Sequence, residues 1–267
     1  MEHKQIESEN GVTHYWLEKS EDPAAPCIVF THGLTADHTM FEKQIAYFSG
    51  AYSVLTWDVP LHGASRPYRD FTYERTALEL HGILEREDIR RVLLVGMSMG
   101  GYPSQLFAAM FPASAAGLVA LDTTPFGLRY YSKSDLWWLQ QVEPMARCFP
   151  DHLLRESMAR SVSATDYSCN KMKEMLAPLT KAQIIEQMGV AYGRFALENR
   201  DISLSCPILI LLGDRDRTGK VKQYCARWAG AADCPLHLIK NAAHFSNGDN
   251  PEQVNREIES FARDVFS

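Results

Sequence analysis

The chain has 267 residues, 46% of them apolar and 22% charged, which suits one α/β domain with an insertion and excludes a disordered chain. Its net charge of −6, with no basic stripe, gives no electrostatic support for nucleic acid as a partner. No apolar run nears the roughly 18 residues a membrane span needs.

The polar opening Met1-Glu2-His3-Lys4-Gln5 lacks the apolar core of a signal peptide. Six cysteines stand at 27, 148, 169, 206, 225 and 234 without a C-x-x-C pair. Reduced thiols and a cytoplasmic location are therefore expected.

In chain order, Asn10-Gly11 separates His3–Ser8 from Val12–Glu18. Both residues tolerate positive φ, so this pair predicts a hairpin. Apolar runs follow at Cys27–Phe30, Val54-Leu55, Val92–Val95, Leu118–Leu121, Ile208–Leu212 and, with His237 interrupting, Leu236–Ile239. Runs without alternation suit strands buried on both faces of a parallel sheet.

Helical patterns lie between these runs. Phe41, Ile45 and Phe48 share one face, and Gly50 stops that helix. Ala77, Leu80, Ile83 and Leu84 form another stripe. Near the end, Asn250 is placed to cap, Pro251 suits the first helical position, and Gln253 is expected to complete a capping box. Val254, Ile258, Phe261 and Val265 then make one face. Alternating strands and helices predict an α/β fold with helices on both faces of the sheet.

The stretch from Pro125 to Arg200 breaks this rhythm, with helical pieces but no strand. It is rich in aromatics, including Phe126, Tyr130, Tyr131, Trp137, Trp138 and Phe149. Residues 1–124 and 201–267 are thus expected to form the core, and 125–200 a helical cap.

Between the apolar Val92–Val95 and a helical stretch lies Gly96-Met97-Ser98-Met99-Gly100. A serine on a sharp strand-to-helix turn projects its Oγ from the strand end, and flanking glycines spare the turn a backbone collision. The next helix directs its N-terminus at the site and favours developing negative charge. Ser98 is therefore the candidate nucleophile, with Gly101 allowing close packing behind it.

A serine hydroxyl needs a general base, and the base an orienting acid. Of nine histidines only His152, His237 and His244 follow Ser98. His152 lies in the insertion, and His237 falls inside the last strand, where packing against the sheet is expected. His244 follows that strand, at the carboxyl end where sites of open α/β sheets gather, and is the candidate base.

For the acid, Asp216 in Gly213-Asp214-Arg215-Asp216 lies further past the strand tip than Asp214 and is preferred. Asp122 is a third candidate, with a turn-forming role as the alternative. For the oxyanion, the N–H groups of Met99 and of Leu34, in Thr31-His32-Gly33-Leu34-Thr35, are the expected donors. His32 is expected to brace that loop.

With these motifs in this order, the chain resembles the α/β-hydrolase family over nearly its whole length. Trp57-Asp58-Val59-Pro60-Leu61-His62-Gly63-Ala64-Ser65-Arg66-Pro67 is similar to a loop of that family, with Leu61 where glycine is common. Ala243 precedes His244 where the family often has glycine. The resemblance implies an eight-stranded, mostly parallel sheet with strand two antiparallel and a lid between strands six and seven. It also implies the triad Ser98, Asp216 and His244.

The expected reaction is hydrolysis of a small-molecule carboxylic ester through an acyl-enzyme, without metal or organic cofactor. Trp137, Trp138 and Phe126 are candidates for an apolar substrate wall, or else residues that pack the lid onto the core. The same triad serves thioester cleavage, lactone opening, carbon–carbon hydrolysis and some lyase reactions, and the elbow resembles that of cofactor-free perhydrolases. Ser98 stands where haloalkane dehalogenases and epoxide hydrolases carry aspartate. A ligand-binding receptor on the same fold is the non-enzymatic alternative.

Overall fold

The Asn10-Gly11 turn joins two antiparallel strands, β1 (Glu2–Ser8) and β2 (Gly11–Glu18), in a computed structural model that describes residues 1–267. Then follow β3 (Cys27–Thr31), α1 (Glu42–Phe48), β4 (Ser53–Trp57), α2 (Tyr73–Arg86), β5 (Val92–Met97), α3 (Gly101–Met110) and β6 (Ala115–Leu121). Four longer helices come next: α4 (Lys133–Arg147), α5 (Asp151–Ser161), α6 (Asp166–Leu176) and α7 (Lys181–Met188). A π-helical stretch (Gly189–Arg194) leads into the short α8 (Phe195–Glu198). The chain ends with β7 (Ile208–Gly213), α9 (Val221–Ala232), β8 (Leu236–Ile239), α10 (Ser246–Asp249) and α11 (Pro251–Phe266).

All eight strands form one sheet in the order β1-β2-β4-β3-β5-β6-β7-β8. β2 runs antiparallel to both its neighbours, and every pair from β4 to β8 is parallel. Successive side chains of the central strands enter opposite cores: Val92 and Leu94 one, Leu93 and Val95 the other. The two cores hold 33 and 32 buried residues, so neither face of the sheet is left to solvent. Helices α2, α3 and α9 cover the first face, and α1 and α11 the second. Residues of α5, α6 and α7, among them Leu154, Met172 and Ile184, join the second core.

Two local expectations need correction. β8 is an edge strand, so His237 faces solvent and pairs with Glu257 at 2.7 Å rather than packing against the sheet. Gln253 does not close a capping box. Asn250 accepts its N–H at 3.2 Å, but the Gln253 side chain reaches β8 and its following turn, binding Leu238 O and Lys240 N at 2.9 Å each. An edge strand offers unpaired backbone groups, and this glutamine satisfies one of them together with an N–H of the turn that follows.

Leu61, at the position where similar loops often carry glycine, adopts φ 72°. The left-handed turn is thus kept by a leucine at a cost of about 1–2 kcal/mol. Gln187 donates to the Leu61 carbonyl at 2.8 Å, tying that turn to α7. No helix is long and apolar enough to cross a membrane. All six cysteines are free.

Candidate active site

Strand order reverses direction at β3, which has β4 on one side and β5 on the other. Such a switch point opens a crevice at the carboxyl ends of the two strands. The register pairs Thr31 with Gly96, which carries Gly33 beside Ser98. A Cβ built on Gly33 would stand 3.3 Å from the Ser98 Cβ and 2.9 Å from the Met97 sulfur. The glycine therefore lets the loop after β3 approach the serine.

Ser98 sits at φ 50°, the left-handed conformation of a tight strand-to-helix turn. The residues two positions to either side are sterically bound to be glycine. A Cβ on Gly96 would meet the Gly101 Cα at 2.6 Å, and one on Gly100 would meet the Thr31 carbonyl oxygen at 2.3 Å. Thr123, just past β6, donates to the Ser98 carbonyl at 2.6 Å and braces the turn from the opposite side. The sequence carried no signal for this threonine.

His244 Nε2 lies 2.8 Å from Ser98 Oγ, and His244 Nδ1 lies 2.8 Å from Asp216 Oδ2. Histidine and aspartate are buried, while Ser98 is half-buried. Thr218 N–H donates to Asp216 Oδ1 at 2.7 Å, so both oxygens of the acid are held. Burial opposes charging of His244, yet the Asp216 hydrogen bond and charge, with the Asp122 charge behind them, raise its pKa above the ordinary 6.5. Burial likewise favours neutral Asp216, but the His244 hydrogen bond and charge hold that carboxyl below the usual range.

The other candidates for base and acid fall elsewhere. His32 braces its loop as expected: Nε2 accepts the Val59 N–H at 3.0 Å, and Nδ1 lies 2.8 Å from the Gly33 carbonyl. Asp214 Oδ1 accepts the Ala242 N–H at 3.2 Å and so ties the two loops together.

Asp122 is fully buried at φ 48° and holds more than its own turn. It accepts Gly213 N–H at 2.8 Å, Ser246 N–H at 3.3 Å and the Ser246 hydroxyl. Burial, with the Asp216 charge adding to it, pushes the Asp122 carboxyl up to about 7.

Leu34 lines the crevice beside Ser98, and its N–H meets no protein acceptor. Met99 turns its side chain into the first core, leaving its backbone at the elbow.

Above Ser98 opens a cavity of about 950 Å³. Five of the ten methionines line it: Met40, Met97, Met158, Met172 and Met188. Phe126, Trp137 and Trp138 do not, which corrects the expected substrate wall. Phe126 packs behind the elbow against Tyr102 and Phe195, held by its N–H to Gln105 at 2.7 Å. Trp137 and Trp138 stand on the outside of α4, 52% and 57% exposed, edge to face with each other. The wall comes instead from methionines of five separate segments, whose inward faces no local pattern reveals. No group of three or more His, Cys, Asp or Glu is arranged to hold a metal.

A family model described as the alpha/beta hydrolase family matches residues 28–257. An sn-1-specific diacylglycerol lipase of Mus musculus is 37% identical over 256 residues, covering 90% of this chain and 82% of its own. A 3-oxoadipate enol-lactonase of Acinetobacter baylyi is 23% identical, covering 88% of each chain. Among solved structures, a thermophilic esterase from Thermogutta terrifontis superposes with a TM-score of 0.80 at 21% identity, covering 100% of both chains. That likeness is one of fold.

Proposed function

The chain belongs to the α/β-hydrolase family, and from that premise we propose that it is a serine hydrolase that cleaves a carboxylic ester through an acyl-enzyme. The observation that carries this reading is the unbroken chain Ser98 Oγ, His244, Asp216, with both links at 2.8 Å. Ser98 attacks the acyl carbonyl while His244 Nε2 takes its proton. Asp216 fixes the imidazole tautomer and stabilises the imidazolium. The Leu34 and Met99 N–H groups receive the oxyanion. His244 then protonates the leaving group, and later activates the water that frees the acid.

An ester is the bond of choice for two reasons. The relatives above include a lipase and a lactonase, and acylglycerols and lactones are both carboxylic esters. The methionine-lined cavity suits a small to medium apolar acyl group, since thioether side chains conform to irregular apolar shapes. Leu154, Met158 and Tyr192 line the same cavity as Ser98, which supports reading the segment 125–200 as a helical cap over it.

Two measurements test this. A fluorophosphonate probe should label the protein at Ser98, and a chromogenic hexanoyl ester should give burst release of its phenol. Ser98→Ala should abolish labelling and lower kcat/KM by roughly 10⁴-fold. Ester turnover undiminished by that substitution overturns the proposal.

A further inference from the structure

We propose that the mouth of the Ser98 cavity is an anion subsite, and that the substrate is an acyl ester or thioester whose leaving group carries a phosphate or carboxylate. This rests on the serine-hydrolase reading above and names the substrate class for it.

The charge at the mouth runs against that of the molecule. The chain has 27 basic and 33 acidic side chains, yet four cations line this cavity, Arg160, Arg215, Arg217 and Lys222, against one carboxylate, Asp214. Asp214 accepts the Ala242 N–H, which holds its carboxylate against the neighbouring loop. Arg160 pairs with Glu156. The other three face no carboxylate: Arg215 rests on the neutral Asn241 amide, Lys222 donates to the Asp214 main-chain oxygen at 2.6 Å, and Arg217 has no partner in the protein. These three cations, two on the loop after β7 and one in the first turn of α9, outnumber the single carboxylate, and their excess attracts an anion and raises its encounter rate.

Depth sorts the two ends of the substrate. Met40, Met97, Met172 and Met188 are buried, and the cations are exposed at the rim. A charged acyl chain would lose its hydration inside without a partner. The apolar acyl group therefore goes inward and the anion stays at the rim.

Mechanism then says which end carries the anion. His244 delivers its proton to the leaving oxygen or sulfur, so the leaving group lies on the His244 side of Ser98. That side is built by the loop after β7, in which Arg215 and Arg217 flank the Asp216 that holds His244. As the acyl C–O or C–S bond breaks, the Ser98 proton passes through His244 to the departing atom. The leaving alcohol or thiol, with its anionic group, is released beside these cations.

The test uses three hexanoyl esters with matched phenols: methyl 4-hydroxyphenylacetate (neutral), 4-hydroxyphenylacetate (carboxylate) and 4-(phosphonomethyl)phenol (phosphonate). The native enzyme should show a higher kcat/KM for at least one anionic ester than for the neutral one. Raising the salt to about 0.5 M should shrink that preference. Arg217→Ala should lower the anionic-to-neutral ratio roughly threefold and Arg217→Glu about tenfold. The larger of the two anionic preferences identifies the group recognised.

A native enzyme that cleaves the neutral ester as well as both anions overturns the inference and leaves the serine-hydrolase reading intact. A ratio unchanged in Arg217→Glu does the same. Failure to cleave any of the three, with Ser98 unlabelled by the fluorophosphonate, overturns both.

Discussion

Asp122, at the end of β6, accepts both the N–H and the hydroxyl of Ser246, two residues beyond His244. Its other oxygen holds Gly213, at the end of β7, where the loop to Asp216 begins. One carboxyl group thus sets the spacing between the loops that carry His244 and Asp216.

Asp122→Ala leaves three buried donors without an acceptor. At 1–3 kcal/mol each, the loss should be about 3 kcal/mol or more. Asp122→Asn keeps an acceptor for Gly213 but turns an N–H₂ toward the Ser246 N–H, so it should fall between alanine and native. Urea unfolding measures the stabilities, and kcat should drop in the same order as the His244 loop loosens. A native unfolding midpoint in Asp122→Ala would show that the bridge carries no weight.

The raised pKa of His244 predicts the pH profile. The base works only as neutral imidazole, so kcat/KM should climb with pH through the His244 pKa. Because the Asp216 hydrogen bond and charge lift that pKa, the midpoint of the acid limb should lie above 6.5. Asp216→Asn removes the charge that favours imidazolium, so the midpoint should move to lower pH. The plateau should also fall, by roughly 10³–10⁴-fold, because the tautomer is no longer fixed. A midpoint that stays put or moves up would mean that Asp216 does not set the His244 titration.

The exposed tryptophans and the buried methionines give opposite expectations. Trp137→Ser and Trp138→Ser remove side chains that touch neither the cavity nor the core, and should change stability by no more than about 0.5 kcal/mol. Their kcat/KM on a hexanoyl ester should stay within about twofold of native, the change expected when no substrate contact is lost. Met188→Ala empties part of the wall, and should cost about 2–4 kcal/mol of stability and shift the preferred acyl length upward. Stability and chain-length profiles of the three variants decide the matter.

Which features could be read from the sequence follows from where their determinants lie. The elbow was legible because its spelling is confined to one short stretch, even though the contacts that require Gly100 and Gly101 come from Thr31 and Thr123 on neighbouring segments. The strands were legible because both sheet faces are covered, which makes an unbroken apolar run. His237 misled because an edge strand has the same apolar spelling as a buried one, and only strand order tells them apart. Phe126, Trp137 and Trp138 misled because aromatic richness carries no direction. Whether such a ring faces the cavity, the core or water depends on how α4 to α8 settle on the sheet.

The second core is not the sheet's alone. Phe30, Val95 and Leu121 from the strands share it with Leu154, Met172, Met175 and Ile184 from α5, α6 and α7. Helices that bury side chains in a common interior with the strands lose that packing when the strands unfold. Heat should therefore take sheet and helices apart in one cooperative endotherm. The segment over Ser98 should not be exchangeable as a detachable module, because its removal would expose part of a core that α1 and α11 alone do not fill.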